Sequence, residues 1–267
     1  MGGCGVGGEG VLAARRRSIL KMIMGRRTIR LFREGEIPDD VLELIVEAGV
    51  RAPIYLQSYT VIQVRDRGKR EELAKLCGVE AVEKAGAVLL VCSDLHRPKR
   101  MLDILGHPHI LQVDKHPVEA IYSVFEAALM VENMILAAEA LGLGSVILDC
   151  PLLEARRIAE MFNLPRGVTP LILLCIGERG EVPPLRPRLP LNMVFHKDEY
   201  VEPRDEELEG YLKTLEKHME SENYVRKYAG MDMRYTEYLK LKTELSEENK
   251  KISDSVAKFL KENLMKL

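Results

Sequence analysis

The longest periodic segment of this chain lies within PVEAIYSVFEAALMVENMILAAEALGLGS, residues 117–145. A proline in the first turn, apolar residues at helical spacing and a glycine at position 142 predict one helix over residues 117–141, about seven turns long. Its polar residues fall in two narrow stripes, so we expect the helix to be buried on more than one side. Its many alanines let backbones approach closely, which suits packing between a sheet and another subunit.

On both sides of this helix, strand and helix patterns alternate. Strands are predicted at residues 60–65, 87–92, 145–148 and 171–177, and helices at residues 11–25, 38–50, 69–77 and 152–162. The run 87–92 is apolar throughout, which indicates a strand that is buried on both faces. An α/β (α+β) fold follows, in which helices cover a sheet.

The chain is expected to have three parts. A glycine-rich, flexible leader covers residues 1–14, the sheet-containing core covers residues 15–202, and a charged, helix-prone tail covers residues 203–267. Within the core, residues 183–190 contain four prolines and cannot form a helix interior. This segment is therefore expected to run extended across a surface.

The charges and cysteines exclude several classes of function and predict a location. The 39 basic and 41 acidic residues give a net charge of -2, so no global positive field attracts nucleic acid or anionic lipid. The strand-like apolar runs, 85–92 and 171–176, are too short to cross a bilayer, and no membrane span is expected. The five scattered cysteines include no C-x-x-C pair. They argue against a disulfide framework and a zinc site, and they favour a reducing cytoplasm.

Two short segments near the N-terminus are candidate ligand contacts. The first, GRRTIR at residues 25–30, brings Arg26, Arg27, Arg30 and the hydroxyl of Thr28 to a helix end. Guanidinium groups suit bidentate binding of phosphate. The second, APIYLQSY at residues 52–59, carries Gln57 in a loop before a strand. A solvated basic turn and an ordinary loop are the alternative interpretations.

Two later segments complete the candidate set. LGLGS at residues 141–145 follows the central helix, and its glycines would let a flat or anionic ligand approach the backbone. It lacks G-x-G-x-x-G, so a Rossmann site is not supported, and a plain helix cap is the alternative. LRPRLP at residues 185–190 carries Arg186 and Arg188, which point to the same side of an extended chain.

Taken together and in this order, the four segments resemble the nitroreductase superfamily. The opening R-R-T-I-R-x-F at residues 26–32 and the ending RPRLP…VFHKDEY at residues 186–200 carry the likeness, which covers residues 17–200. The ending is similar to the oxygen-insensitive NAD(P)H nitroreductase and flavin reductase branch. The resemblance implies a mixed, mainly antiparallel sheet flanked by helices, and a homodimer with FMN at the subunit interface. It also implies a helical C-terminal extension that embraces the partner.

The resemblance also implies a set of cofactor-binding residues and assigns the redox chemistry to the cofactor. The FMN contacts it implies are Arg26, Arg27, Thr28, Arg30, Gln57, Gly142, Leu143, Gly144, Ser145, Arg186 and Arg188. No protein acid or base is required, because tightly bound FMN takes hydride from NAD(P)H and then reduces a second substrate. The loop over residues 52–57 departs from the family pattern. It is shorter than usual and carries Ile54 and Tyr55 where small polar residues are common.

Three function classes stay open at this point. The favoured one is an FMN-dependent oxidoreductase that reduces a nitroaromatic, a quinone or free flavin by a ping-pong scheme. The alternatives are a flavin enzyme with a specialised biosynthetic or dehalogenating substrate and a non-catalytic flavin-binding module. Four histidines lie at residues 96–116, but their spacing matches no standard metal motif. We interpret this stretch as a variable loop over the active site and predict no metal.

Overall fold

One antiparallel sheet of four strands forms the centre of the fold. In the computed structural model, which describes residues 18–113 and 115–264, the strands are β1 (Tyr59–Gln63), β2 (Ala87–Asp94), β3 (Gly144–Leu148) and β4 (Val168–Gly177). Their order across the sheet is β1-β2-β4-β3. All eight residues of β2 are buried, as its unbroken apolar sequence predicts. The expected mixed α/β fold with a mainly antiparallel sheet is confirmed.

Helices connect and flank these strands. Residues 18–25 are helical (α1), and the further helices are α2 (Asp39–Val50), α3 (Arg67–Cys77), α4 (Ala81–Lys84), α5 (His96–Ile104), α6 (Pro117–Ala140), α7 (Cys150–Leu153), α8 (Ala155–Met161), α9 (Asp205–Ser221), α10 (Tyr224–Ala229), α11 (Tyr235–Thr243) and α12 (Glu247–Asn263). Short 3-10 turns occur at Ile110–Gln112 and Leu191–Met193.

The central helix α6 packs one face into the core, against α2 and the sheet. Met130 and Met134 are fully buried there and lie directly over Gly49 of α2. A Cβ atom at Gly49 would stand 2.6 Å from Cγ of Met134, so this crossing requires glycine. By length and hydropathy α6 would also suit a bilayer. Its buried face instead joins the main hydrophobic core, as in the core helix of a globular domain.

The described chain divides into two compact units. The first contains residues 18–182 and 252–264 and includes the whole sheet, and the second is Pro183–Lys251. The proline-rich segment begins the second unit and has no helix before Leu191, as expected from its prolines. The predicted boundary at residue 202 falls inside the second unit, and the leader at residues 1–14 lies outside the described residues.

Two local expectations differ from the structure. The helix predicted at residues 152–162 is two helices, α7 and α8, because the chain breaks helical geometry at Glu154, where φ is -106° and ψ is 31°. The stretch 96–116, interpreted as a loop, begins with α5. Its buried Pro98 lies in the first turn of α5, where a proline needs no hydrogen-bond partner for its nitrogen.

A disulfide bond links Cys77, at the end of α3, to Cys150, at the start of α7. The two cysteines are 73 residues apart, so tertiary packing rather than local spacing brings them together. This pairing corrects the expectation that the cysteines form no disulfide. Cys92 and Cys175 are buried free thiols, and burial raises the pKa of each to about 12.

The disulfide gives a first testable prediction. Cys150→Ser should lower the free energy of unfolding by about 4 kcal/mol, because the cross-link restricts the unfolded chain. Urea unfolding should give the same lower midpoint for the variant and for reduced wild-type protein. Thiol titration in denaturant should find Cys92 and Cys175 reactive before reduction, and Cys77 and Cys150 reactive only after it. Five reactive thiols in the unreduced protein would contradict the bridge.

Candidate functional site

The arginine-rich segment and the glycine turn meet at the edge of the sheet. Thr28 forms a parallel bridge to Ser145, and the N–H of Ile29 donates to the carbonyl oxygen of Ser145 at 2.9 Å. Gly144 makes this approach possible, since a Cβ there would stand 2.6 Å from Cγ1 of Ile29. Two segments that are more than a hundred residues apart in sequence therefore form one continuous strip of backbone.

The side chains of this strip form a cluster of positive charge with spare donors. Within the residues that the structure describes, Arg26 has no hydrogen-bond or ion-pair partner for its side chain. Arg27 donates from Nη1 to the carbonyl oxygen of Gly25 at 2.9 Å, while its buried Nε has no partner among the described residues. A buried guanidinium N–H without an acceptor is unfavourable, so this donor set fits an anionic group such as a phosphate.

An acidic side chain fixes the backbone at the end of the strip. Oε1 of Glu181 accepts the N–H of Arg30 at 2.8 Å and the N–H of Leu31 at 3.2 Å. These bonds connect the chain just after β4 to the chain just after Thr28. Glu181, four residues after the end of β4, was not predicted from the sequence.

A buried ion pair holds the glycine turn over residues 141–145. Arg179 donates to Glu139 at 2.6 Å and to the carbonyl oxygen of Leu143 at 3.1 and 3.2 Å. The side chain of Glu139 is only 5% exposed and that of Arg179 is 27% exposed. Gly142 has φ +80°, a backbone conformation that favours glycine. The sequence did not reveal Arg179 or Glu139 as supports of this turn.

The loop that carries Gln57 is organised by a carboxylate of α6. Glu126, which is 4% exposed, accepts the backbone N–H groups of Leu56 at 2.9 Å, Gln57 at 3.2 Å and Ser58 at 2.7 Å. It also accepts the N–H of Tyr55. Gln57 itself is exposed, with φ +54°. Glu126 was not among the predicted site residues.

These hydrogen bonds keep Glu126 ionised. Burial alone raises the pKa of Glu126, but the N–H groups of Ser58, Tyr55 and Gln57 stabilise the anion and bring the pKa below its ordinary value of 4.5. Because the folded pKa is depressed, the stabilisation is complete above the ordinary pKa. It is lost only as the pH falls through the lower folded value.

The two halves of the predicted site lie at opposite corners of the sheet. Tyr59, which begins β1, pairs with Ser93, and Ser93 pairs with Thr169 near the start of β4. Gly144, which begins β3, pairs with Gly177 at the end of β4. By strand geometry the starts of β1 and β3 are roughly 25–30 Å apart. One chain therefore does not bring Gln57 to residues 26–30 and 142–145.

The remaining predicted residues, Arg186 and Arg188, lie in the second unit. The guanidinium of Arg186 stacks 4.3 Å from the ring centre of Tyr224. Arg188 is exposed, and its Nη1 donates to the carbonyl oxygen of Pro187 at 3.3 Å. Both arginines thus have local contacts within this unit.

The histidine-containing stretch shows ordinary polar pairing. His109 contacts Asp103 at 2.9 Å. Hydrogen bonds from Lys99, His109 and Gln112 hold the pKa of Asp103 well below its ordinary value. Over residues 18–113 and 115–264, no group of three or more His, Cys, Asp or Glu side chains is arranged to hold a metal ion.

Comparison with known proteins gives a consistent group of relatives. The model of the nitroreductase family matches residues 23–178. The chain is 31% identical to the NADPH-flavin oxidoreductase of Vibrio harveyi over 74% of this chain and 80% of that protein. It is 31% identical to the oxygen-insensitive NADPH nitroreductase of Salmonella typhimurium over 71% of this chain and 77% of that protein. The solved structure of the NADPH:FMN oxidoreductase of Vibrio harveyi with NAD+ superposes with a TM-score of 0.72 at 26% identity, covering 89% of this chain and 97% of that one.

The ion pair that holds the glycine turn gives a second prediction. Arg179→Met should lower the free energy of unfolding by about 3 kcal/mol, because it leaves the buried Glu139 without its partner. Adding Glu139→Gln should recover part of this loss, as urea unfolding of the double variant would show. Arg51→Met, which breaks the exposed pair with Glu47, is the control and should change stability by less than about 1 kcal/mol. Equal small effects of the Arg179 and Arg51 variants would contradict the assignment.

Proposed function

This chain belongs to the nitroreductase family and is an NAD(P)H-dependent flavin oxidoreductase, and we propose that it holds FMN between two identical subunits. We further propose that it reduces a small acceptor, a nitroaromatic, a quinone or a flavin, in a ping-pong cycle. The observation that carries the proposal is the bridge between Thr28 and Ser145, because it joins the arginine cluster to the glycine turn.

The donor chemistry of this strip fits FMN. Bound FMN accepts a hydride from NAD(P)H and passes electrons to the second substrate. Arg26 and the buried Nε of Arg27 would bind the phosphate, since forked guanidinium donors match its charged oxygens. The exposed backbone at Gly142 would lie beside the flat ring, where no side chain blocks its approach.

The separation of the two half-sites supports a composite site. Gln57 lies too far from residues 26–30 within one chain to contact the same FMN. A second copy of the chain, related by a two-fold axis, would present its own Gln57 loop to the first copy's arginine strip. Such a dimer would hold two FMN molecules, each between the two subunits.

An exposed apolar surface on α6 supports the same dimer, and α1 separately exposes Ile19, Leu20, Ile23 and Met24. The members of the α6 surface are Val118, Ile121, Tyr122, Val124, Phe125 and Leu129. Monomeric proteins rarely expose so many large apolar side chains together. The ring of Tyr122 also contacts that of Tyr55, 5.7 Å between centres, so this surface adjoins the Gln57 loop.

The second unit carries two further candidate residues. Arg186 and Arg188 lie on an extended, proline-stiffened segment, and their guanidinium groups are of the kind that bind phosphate.

We propose that the protein is located in the cytoplasm, where its NAD(P)H donor is found. Cytoplasmic disulfides occur mainly in hyperthermophiles or as redox-sensitive bonds. We therefore propose that the protein comes from a hyperthermophile or that its Cys77–Cys150 bond is redox-sensitive.

The flavin assignment gives a third prediction. Purified protein should be yellow, and excess NADPH or NADH should bleach its visible flavin absorption under anaerobic conditions. Adding a nitroaromatic or a quinone should restore the absorption, because the acceptor removes the electrons. A protein that stays colourless after incubation with FMN, or whose flavin is not bleached by either donor, would contradict the proposed function.

The composite site gives a fourth prediction. Arg26→Ala should weaken FMN binding by roughly 1.5–3 kcal/mol and Gln57→Ala by roughly 0.5–1.5 kcal/mol in their homodimers. In a mixed dimer of these variants, one site contains both substitutions and the other contains neither. Co-expression with two affinity tags and calorimetric titration should therefore find one FMN per dimer bound with wild-type affinity.

Mixed dimers of two wild-type chains, prepared with the same tags, are the control. A mixed dimer in which no site regains wild-type affinity would place both residues in one subunit's site and contradict the composite arrangement.

A further inference from the structure

We propose that Glu126 is the positioning residue of the FMN-binding loop. Its carboxylate fixes residues 55–58 in the conformation that presents Gln57 to the cofactor, and it acts from the helix that carries the apolar surface of the dimer. This assignment rests on the proposed function, since it gives Glu126 a role in FMN binding.

The single carboxylate of Glu126 accepts hydrogen bonds from four backbone N–H groups of this loop. Oε1 accepts the N–H groups of Tyr55, Leu56 and Gln57, and Oε2 accepts that of Ser58. Successive N–H groups that point to one centre form a concave anion site of the kind that usually binds a phosphate or a carboxylate. Here the anion is part of the protein, so the loop has its shape before any ligand arrives.

The backbone at the centre of the loop has an unfavourable conformation that requires support. Gln57 has φ +54°, in the left-handed region that non-glycine residues seldom occupy. Such a conformation persists only where surrounding contacts over-determine it. The N–H groups of Gln57 and of both its neighbours bind Glu126, which supplies this constraint.

The loop also contacts α6 at a second position near Glu126. Tyr122, one turn earlier on the same helix, contacts the ring of Tyr55. The loop is thus attached to α6 at two points, one charged and buried and one aromatic and exposed. The loop is short, so it has few internal contacts that could fix its own conformation. The hydrogen bonds to the Glu126 side chain fix it instead.

The experiment compares Glu126→Gln with wild-type protein. The amide keeps the size of the side chain, but its NH₂ group cannot accept a hydrogen bond from a backbone N–H. We expect Glu126→Gln to weaken FMN binding about tenfold or more, as measured by quenching of FMN fluorescence, because charge-assisted bonds to the loop are lost. Glu126→Asp keeps the charge but is too short to reach all four donors, and it should not restore wild-type affinity.

Two measurements separate positioning from a merely structural role. Urea unfolding of the FMN-free proteins reports the stability of the fold, and FMN titration of the folded variants reports the loop. Glu160→Gln, which removes an exposed carboxylate on α8, is the matched control and should leave both unchanged. If the wild-type protein binds FMN and the folded Glu126→Gln variant binds it with the same affinity, the positioning role is overturned while the proposed function stands.

A measurement on the wild-type protein keeps the test valid if the variant fails to fold. Hydrogen exchange of the FMN-free protein should show slow exchange at the amides of residues 55–58, since each donates to Glu126. Fast exchange at these amides, as in an open loop, overturns the assignment. Wild-type protein that takes up no FMN overturns the proposed function and this assignment together.

Discussion

The antiparallel order of the sheet is the constraint on which the functional site depends. Because β1 and β3 are the two edge strands and begin at opposite ends, the loop before β1 and the turn before β3 occupy diagonal corners. A single FMN cannot bridge these corners within one chain. The proposed two-fold dimer would bring opposite corners of two sheets together. It therefore rests on the strand topology as well as on the apolar surface of α6.

Helix α6 connects the two corners within each chain. Its buried Glu126 holds the loop before β1, and its buried Glu139, through Arg179, holds the turn before β3. These carboxylates are 13 residues apart, about 20 Å along the helix. Burial of a charge is unfavourable unless the charge is paired. Glu126 is paired with backbone N–H groups of the loop 55–58 and Glu139 with the guanidinium of Arg179, so the stability of the core and the shape of the candidate site are linked.

Much of the fold could be predicted from the sequence, because its strongest signals are periodic. The apolar pattern of residues 117–141 gave α6 to within one residue, and the unbroken apolar run of β2 gave a strand buried on both faces. The split between α7 and α8 could not be predicted, because the apolar spacing continues across Glu154 although the helical backbone geometry is interrupted there. The Cys77–Cys150 pair was missed for a related reason, since long-range packing leaves no mark in the spacing of cysteines.

The residues that hold the site in shape were harder to predict than the candidate ligand contacts. Arg26 and Gly144 belong to short motifs that suggest a phosphate or a flat ligand, whereas Glu126 and Arg179 act through backbone groups far away in sequence. In the sequence, Glu126 is one polar residue in a helical stripe, and only the structure shows the four N–H groups around it. The sequence also could not show that the motifs lie on opposite corners, because the strand order is a property of tertiary structure.

A crystal structure of the protein with FMN would show whether each FMN is bound by parts of two chains. We expect every FMN to contact Arg26 and Arg27 of one subunit and the loop 55–58 of the other, across a two-fold axis. An FMN whose protein contacts all come from one chain, or a monomer that binds FMN fully, would contradict it.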